Sequence, residues 1–485
     1  MRPPTDDKTG DHKTARRSAK GKRAAGKASA GARAQPYSAP GLAARRAAAS
    51  ILARIIDHRI PLDPLVDERS GATQFRTLPA QDRNLVRAIL GITLRHRGEL
   101  AAAIERCLDR PLEENSGALS ALLHVGAAQI LFLNVPDHAA VSLAVSAAMT
   151  DKRTRQARGL VNSVLRRIAR ERDEILSLAD AGRLNTPDWL FQRWSAFFGE
   201  ETADAIAAAH IAVPPLDLTP RQGEPASVAA LAAELGGTVL PTGSIRLQSP
   251  GRITALSGFE AGSWWVQDAA AAMPARLLGQ IAGKSVADLC AAPGGKTAQL
   301  AAAGANVSAI DISENRLRRL VRNLARLRLA AQTVTADLLT WTPDDQFDAI
   351  LLDAPCSATG TIRRHPDIAW LKTPRDIATL ADLQGRLLDR AMTWLRPGGR
   401  LVYCTCSLEK EECEDQIASL LVRHGELLRD PIAPHEVAGL AHCLTSNGEL
   451  RTLPCTAFEV SGAADRMSAI SGMDGFFIAR LRRVT

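Results

Sequence analysis

Apolar residues recur at helical spacing from Gly41 to about Arg172. Leu42, Ile51, Leu52, Ile55 and Ile56 form one such set, followed by Leu85, Val86, Ile89, Leu90 and Leu94, then by Leu119, Leu122, Leu123, Ile130 and Leu133. Pro61, Pro64, Pro111, Pro136 and the polar run 150–155 punctuate the pattern, which predicts a bundle of about six or seven helices. The character changes between 185 and 260. Thr186-Pro187-Asp188-Trp189 opens a helix carrying Trp189, Phe191, Trp194 and Phe197, and Pro214, Pro215 and Pro220 then break helices. Short strands are expected at 216–218, 238–240 and 245–247, flanking a helix at 227–235. After Gly262, strand patterns at 285–290, 306–310, 332–336, 348–352 and 400–404 alternate with helical ones, and 476–481 reads as a last strand. Strand and helix in alternation imply a mainly parallel, doubly wound sheet. The expected organisation is multidomain: a tail over 1–40, an all-α domain over 41–175, a small α/β connector over 185–260 and a Rossmann-like domain over 261–485.

Charge adds a feature the periodicity does not carry. Of the 60 Lys and Arg, ten fall within 1–40, against three of the 52 Asp and Glu, so the remaining 50 and 49 nearly cancel. The net charge of +8 therefore reports the tail, an Ala/Gly/Ser/Lys/Arg segment without apolar periodicity that is expected to be disordered. It reads either as a flexible arm for nucleic-acid phosphate or as a solubilising extension or early start. In the helical region, Arg45, Arg46, Arg54, Arg83, Arg87, Arg95, Arg97, Arg158, Arg166, Arg167 and Arg170 interleave with the apolar positions. Solvated outer faces account for most of these, and nucleic-acid contact for the rest.

Eight cysteines are scattered through a chain with a polar N-terminus and no apolar run of membrane-spanning length, so reduced thiols and a cytoplasmic location are expected. Zinc is a competing use for Cys404, Cys406 and Cys413. The Cys-x-Cys spacing is tighter than usual ligand pairs, however, and no second pair with histidine accompanies it, so no metal is expected.

Acids stand at the ends of three successive strand patterns: Asp311, Asp337 and Asp353. In open α/β sheets ligands lie beyond the carboxyl ends of the strands, and Asp311 falls 21 residues after Cys290, near the spacing at which a carboxylate meets ribose hydroxyls. A single such Asp is also a common turn or cap residue. The turn Cys290-Ala291-Ala292-Pro293-Gly294-Gly295-Lys296 resembles a phosphate loop at its end, but Cys occupies the position of that motif's first glycine. Two adjacent glycines before a helix allow close backbone approach, and the helix N-terminus favours a carboxylate. A ligand with ribose, adenine and carboxylate but no phosphate fits, which is S-adenosylmethionine.

Two thiols complete the pattern. Cys356 lies in Asp353-Ala354-Pro355-Cys356-Ser357 and Cys406 in Tyr403-Cys404-Thr405-Cys406-Ser407, each after an apolar strand pattern. The C5 carbon of cytosine is a poor nucleophile until a thiolate adds at C6 and makes it enamine-like, so a thiol next to a methyl-donor site points to pyrimidine methylation. Strand alternation puts Cys404 and Cys406 on one side of the chain, which leaves Cys404 as a competitor; Cys406 is preferred for its place in Thr405-Cys406-Ser407 at the strand end.

These runs, together with Asp288-Leu289-Cys290, Lys296-Thr297 and Asp474-Gly475-Phe476-Phe477, resemble the NOL1/NOP2/Sun family of RNA cytosine-C5 methyltransferases. The stretch 41–172, with Gln81-Asp82-Arg83 and Arg158-Gly159-Leu160-Val161-Asn162, resembles the helical RNA-binding module of the NusB antitermination family, and the combination is that of the branch acting on 16S rRNA. The resemblance implies an all-α NusB-like domain, a small connector and a Rossmann-like S-adenosylmethionine-dependent methyltransferase domain, working as a monomer on RNA without a membrane. It makes Cys406 the nucleophile and Cys356 the second cysteine, which assists breakdown of the adduct. Asp353 would bind the cytosine edge or orient the methyl donor. Asp311 would hold ribose, Asp337 would lie by the adenine, and Cys290 to Lys296 (Ala291, Ala292, Pro293, Gly294 and Gly295 between them) would wrap the methionine part. Lys296 would keep nearby acids ionised or favour a thiolate. Arg363, Arg364, His365 and Asp367 would face substrate, or else form a basic surface loop. Two rivals remain: a DNA cytosine methyltransferase with Cys356 as nucleophile, and a non-catalytic RNA-binding assembly factor that keeps a cofactor fold.

Overall fold

The computed structural model describes residues 39–113, 116–178, 180–221, 225–248, 251–459 and 472–484. The basic tail expected over 1–40 lies, up to residue 38, outside the described residues.

The helical region packs around the positions that the 3.6-residue period picks out. Helices Leu42–His58, Ala80–Arg95, Arg97–Arg106, Gly117–Leu131, Asp137–Thr150 and Arg158–Arg170 supply it, with shorter turns between them. Ile51, Leu52, Ile55, Val86, Ile89, Leu90 and Leu94 share one buried cluster. Gly126 lets two helices close on each other, because a Cβ there would lie 2.6 Å from a Leu165 methyl. Several interleaved arginines are used inside the protein. Arg83 and Arg87 pair with Glu68, and Arg95 donates to the carbonyls of His210 and Ala212. Arg45 is buried and donates to Gly41 O.

Helices Asp188–Phe198 and Glu200–Ile211 lead to an antiparallel sheet of β1 (Leu216–Pro220), β2 (Thr238–Val239), β3 (Ile245–Leu247) and β4 (Trp264–Val266), in the order β2-β3-β1-β4. The connector's sheet thus reaches past residue 260, where the sequence pattern placed its end, because β1 pairs with β4 along Leu218, Thr219 and Pro220. Three residues are too few to display alternation, and Trp264-Trp265-Val266 is recognisable as a strand only through that partner. Helix Pro225–Glu234 covers this sheet.

The large sheet contains β5 (Ser285–Leu289), β6 (Asn306–Asp311), β7 (Gln332–Thr335), β8 (Phe347–Asp353), β9 (Leu395–Thr405), β10 (Leu427–Arg429), β11 (Leu450–Thr452) and β12 (Phe476–Arg483). Its order is β10-β12-β9-β8-β5-β6-β7, with β11 on β12. Pairs from β7 to β9 are parallel, and β12 is antiparallel to β9, β10 and β11. Successive residues alternate between two cores: Ala349, Leu351, Val402 and Cys404 face one, and Ile350, Leu352, Leu401 and Tyr403 the other. Both faces of β5 and β8 are covered, which is why these strands read as near-continuous apolar runs, whereas β7 at the sheet edge is largely exposed. The chain leaves β5 toward β7 and returns to β8 on the other side of β5, so the strand order reverses between β5 and β8. A crevice is expected at the carboxyl ends of these two strands. Among the described residues no helix is long and apolar enough to cross a membrane.

Candidate active site

The carboxyl end of β5 runs into a turn whose shape depends on one glycine. Cys290 has φ of 63° and Gly294 has φ of 102°, and helix Gly295–Ala302 starts immediately afterwards. A Cβ on Gly294 would stand 2.7 Å from Leu320 Cγ, so neither the backbone angle nor the space admits a side chain. Ala291 N donates to Ile310 O at 3.0 Å and Ala292 N to Asp311 Oδ2 at 3.1 Å, which fastens the turn to β6. Asp311 is buried, also accepts from Ser313 N at 2.9 Å and meets Arg316 at 3.3 Å. Oδ2 meets both Ala292 N and Arg316, whereas Oδ1, which accepts from Ser313 N, keeps a further lone pair for a ligand hydroxyl. Asp337 is placed differently. It is exposed and caps its own turn by accepting from Leu339 N at 3.0 Å.

Asp288, one residue inside the end of β5, lies beneath the turn, and the sequence reading gave it no role. It is fully buried, accepts from Thr297 Oγ1 at 2.5 Å and leaves Oδ1 without a partner among the described residues. Burial raises its pKa from 3.8 to about 7, against the opposing Thr297 hydrogen bond. A carboxyl group whose folded pKa is raised stabilises the fold below its unfolded pKa and loses that contribution as pH rises through the folded one. The stability of the protein should therefore decline between 3.8 and about 7 on account of this group. Asp288→Asn should flatten that decline, as measured by urea midpoints across pH; parallel profiles for the two proteins would contradict this.

Lys296, on the first turn of the helix, is buried and donates to Asp353 Oδ2 at 2.8 Å. Burial works to lower its pKa, but Asp353 and its neighbours outweigh burial and hold the ammonium above the usual lysine range. Its Nζ also sits 5.0 Å from the centre of the Phe476 ring. The lysine is thus committed to a carboxylate at the end of β8 and does not reach for phosphate as a nucleotide-binding loop would. Asp353 stands at the end of β8 with its side chain one-third exposed.

Cys404 lies inside β9, fully buried, and its Sγ donates to Asp353 Oδ1 at 3.5 Å. Burial and the Asp353 charge push its thiol well up, which keeps it protonated. Cys406 packs against the same core one strand step later, is partly exposed, and lies 3.5 Å from Cys356, Sγ to Sγ. Cys356 is pushed well above the usual thiol range, first by its hydrogen bond to Cys406 and then by burial. Cys413 points elsewhere, with Sγ 3.2 Å from Thr405 Oγ1, and all eight cysteines are free.

Three loops converge here. Gly360 N donates to Cys406 O at 3.0 Å, and Gly475 N to Gly360 O at 2.8 Å. A Cβ on Gly360 would fall 2.1 Å from Gly475 O, so this glycine permits the contact. Arg363 is buried between Asp268, at 2.8 Å, and Asp474, at 3.3 Å, and Arg364 also pairs with Asp474. Asp367 accepts from Leu62 N at 2.9 Å, tying the loop to the helical region, whereas His365 is partly exposed. Arg363 and Asp367 are therefore buried ties; neither is part of a basic surface loop. Asp268 escaped the sequence reading because its partners are 95 and 206 residues away.

The chain matches the model of the 16S rRNA methyltransferase RsmB/F family over residues 275–482 and that of the NusB family over 42–170. Ribosomal RNA small subunit methyltransferase B of Enterobacter sp. (strain 638) is 37% identical over 414 residues, spanning 83% of this chain and 91% of that relative. The chain belongs to the RsmB/F methyltransferase family. Among solved structures, that of PH0851 superposes with a TM-score of 0.65 at 24% identity, over 92% of this chain and 99% of that one, which speaks for the fold. A methyltransferase homolog from Pyrococcus horikoshii superposes with a TM-score of 0.51 at 28% identity, covering 63% of this chain and all of that one. The family match places the glycine turn, the Lys296–Asp353 pair and both thiols inside the methyltransferase segment, and the helices before residue 170 inside the NusB segment.

Proposed function

We propose that this chain transfers a methyl group from S-adenosylmethionine to C5 of a cytosine in 16S rRNA, with Cys406 as the nucleophile. One observation carries the reading: two thiols 3.5 Å apart beside a carboxylate–lysine pair, at the point where the strand order reverses. S-adenosylmethionine fits the residues present. Gly294, at φ of 102°, turns the chain into helix Gly295–Ala302, the helix N-terminus attracts a carboxylate, and Asp311 offers an acceptor for a ribose hydroxyl. When bound, it supplies an electrophilic methyl group. The segment Cys290 to Lys296 would wrap its methionine part, and Asp337 would lie toward the adenine.

The chain's own residues would do the rest. Asp353, held in place by the hydrogen bond from Lys296, accepts from the exocyclic amine on the cytosine edge, and the base must leave its stack to reach it. The Cys406 thiolate adds to C6, and C5 takes up the methyl group as an enamine carbon. Solvent water then takes the C5 proton, the C6–S bond breaks with its electron pair going to Cys406 as thiolate, and the C5–C6 double bond of the ring is restored. Cys356, held as a thiol, donates its hydrogen to the departing sulfur. The helices matched to the NusB family would hold RNA flanking the target.

The test is methyl transfer from labelled S-adenosylmethionine to 16S rRNA taken from a strain lacking the gene, followed by mapping of C5-methylcytosine. Label at a single cytosine is expected. No transfer to RNA at all would favour a binding factor that keeps the fold, and transfer to DNA alone would favour the DNA-modifying alternative.

A further inference from the structure

We infer that Glu412 is a positioning residue that fixes the separation of Cys356 and Cys406 from behind the pocket. The inference rests on the reading that both thiols act in the reaction. Glu412 belongs to the single turn Lys410–Glu412 and is fully buried. Its Oε1 accepts from Ser357 N at 2.8 Å and from Gln384 Nε2 at 3.1 Å. Its Oε2 accepts from Ser407 Oγ at 2.5 Å and also from Ser357 Oγ. The two hydroxyls are themselves 3.1 Å apart. Ser357 and Ser407 are the residues that directly follow the two thiols, and both serines are fully buried whereas Cys356 and Cys406 are partly exposed. One carboxylate therefore grips both cysteine-bearing segments on the side away from the pocket.

The grip is anchored at two further points. Tyr403 Oη, on β9, donates to Glu412 O at 2.7 Å, and Gln384 Nε2 also donates to Pro355 O at 2.9 Å, next to Cys356. Burying a carboxylate is costly, and an apolar side chain of similar size serves a core at least as well unless geometry is at stake. Burial raises the pKa of Glu412, while Ser357, Ser407 and Gln384 oppose the rise. Four donors converging on one buried group give the rigidity that a reacting pair of sulfurs needs, since displacement by about 1 Å costs about 100-fold in rate. The hydrogen bonds of the Glu412 carboxylate go to Ser357, Ser407 and Gln384, so it acts on the sulfurs through these neighbours.

The experiment uses the full chain carrying Glu412→Gln and, separately, the double change Ser357→Ala with Ser407→Ala, which keeps the carboxylate and removes its hydroxyl arms. Two readouts are taken. The first is the rate at which diamide joins Cys356 to Cys406; two thiols lose two electrons and two protons, the diazene is reduced to the hydrazine, and peptide mapping locates the bond. The second is kcat and KM with RNA. Both variants should slow closure at least about tenfold and lower kcat by about 30- to 100-fold, with KM for RNA within about twofold of the parent. Closure at the parent rate in either folded variant overturns the inference, including where kcat falls, because a purely structural role would leave closure untouched. Should Glu412→Gln fail to fold, the serine double variant decides alone. Turnover surviving in Cys406→Ala would instead overturn the catalytic reading, while the closure rates would still judge Glu412.

Discussion

Cys406→Ala should abolish turnover, lowering kcat by about 10^4-fold or more while RNA and S-adenosylmethionine still bind. Removing the nucleophile leaves C5 of the base without its enamine character, and no neighbouring sulfur can take over. Cys404 is fully buried and bonded to Asp353, and Cys356, though only 3.5 Å from Cys406, is held as a thiol. Binding should persist because the sulfur is separate from the glycine turn and from Asp311, and because Cys406 is held through its main chain by Gly360 N. Single-turnover methyl transfer together with equilibrium binding of both partners checks this. A kcat within tenfold of the parent would contradict it.

Gly294→Val is the second change with a large expected effect, and it acts on the cofactor. At φ of 102° any β-branched residue is strained, and its Cβ would press on Leu320 Cγ at 2.7 Å. The left-handed backbone alone costs about 1 to 2 kcal/mol, and relieving the clash must tilt the turn or push Leu320 out of its cluster with Leu317 and Leu324. Tilting the turn moves the N-terminus of Gly295–Ala302 away from the ligand carboxylate and loosens the bond from Ala292 N to Asp311. Affinity for S-adenosylmethionine should fall by at least about 100-fold, on the order of 3 kcal/mol. RNA affinity, carried in this account largely by the helices before residue 170, should stay near that of the parent. Calorimetric titration with each ligand reads the two separately.

How much of this was legible before the fold depended on the range of the interactions. Helix faces announce themselves, since Ile51, Leu52, Ile55, Ile89 and Leu90 follow the 3.6-residue period that places them in one core. The central parallel strands β5 and β8 were equally plain because both of their faces are covered and apolar. The three-residue strands β4, β10 and β11 were not legible, as each exists through a partner far away in sequence. Charges were the least readable. Glu412 sits in Glu409-Lys410-Glu411-Glu412, which looks like a solvated run, yet Glu409 and Glu412 are buried and only the fold supplies Arg193, Trp194, Ser357 and Ser407 as partners. Arg363 and Asp268 were opaque for the same reason. Cys404 and Cys406 were indistinguishable by alternation, and burial separates them. Asp337 looked like Asp311 in the sequence, but it lies exposed on a turn that it caps itself.

RNA in which the target cytosine is replaced by 5-fluorocytosine offers the most direct test of the role of Cys406. Fluorine at C5 cannot leave as a proton does, so an adduct through C6 should persist and migrate as a protein–RNA species on a denaturing gel. The parent and Cys356→Ala should both give that species with S-adenosylmethionine present, and Cys406→Ala should give none. An adduct that survives Cys406→Ala, or that vanishes only with Cys356→Ala, would contradict the account.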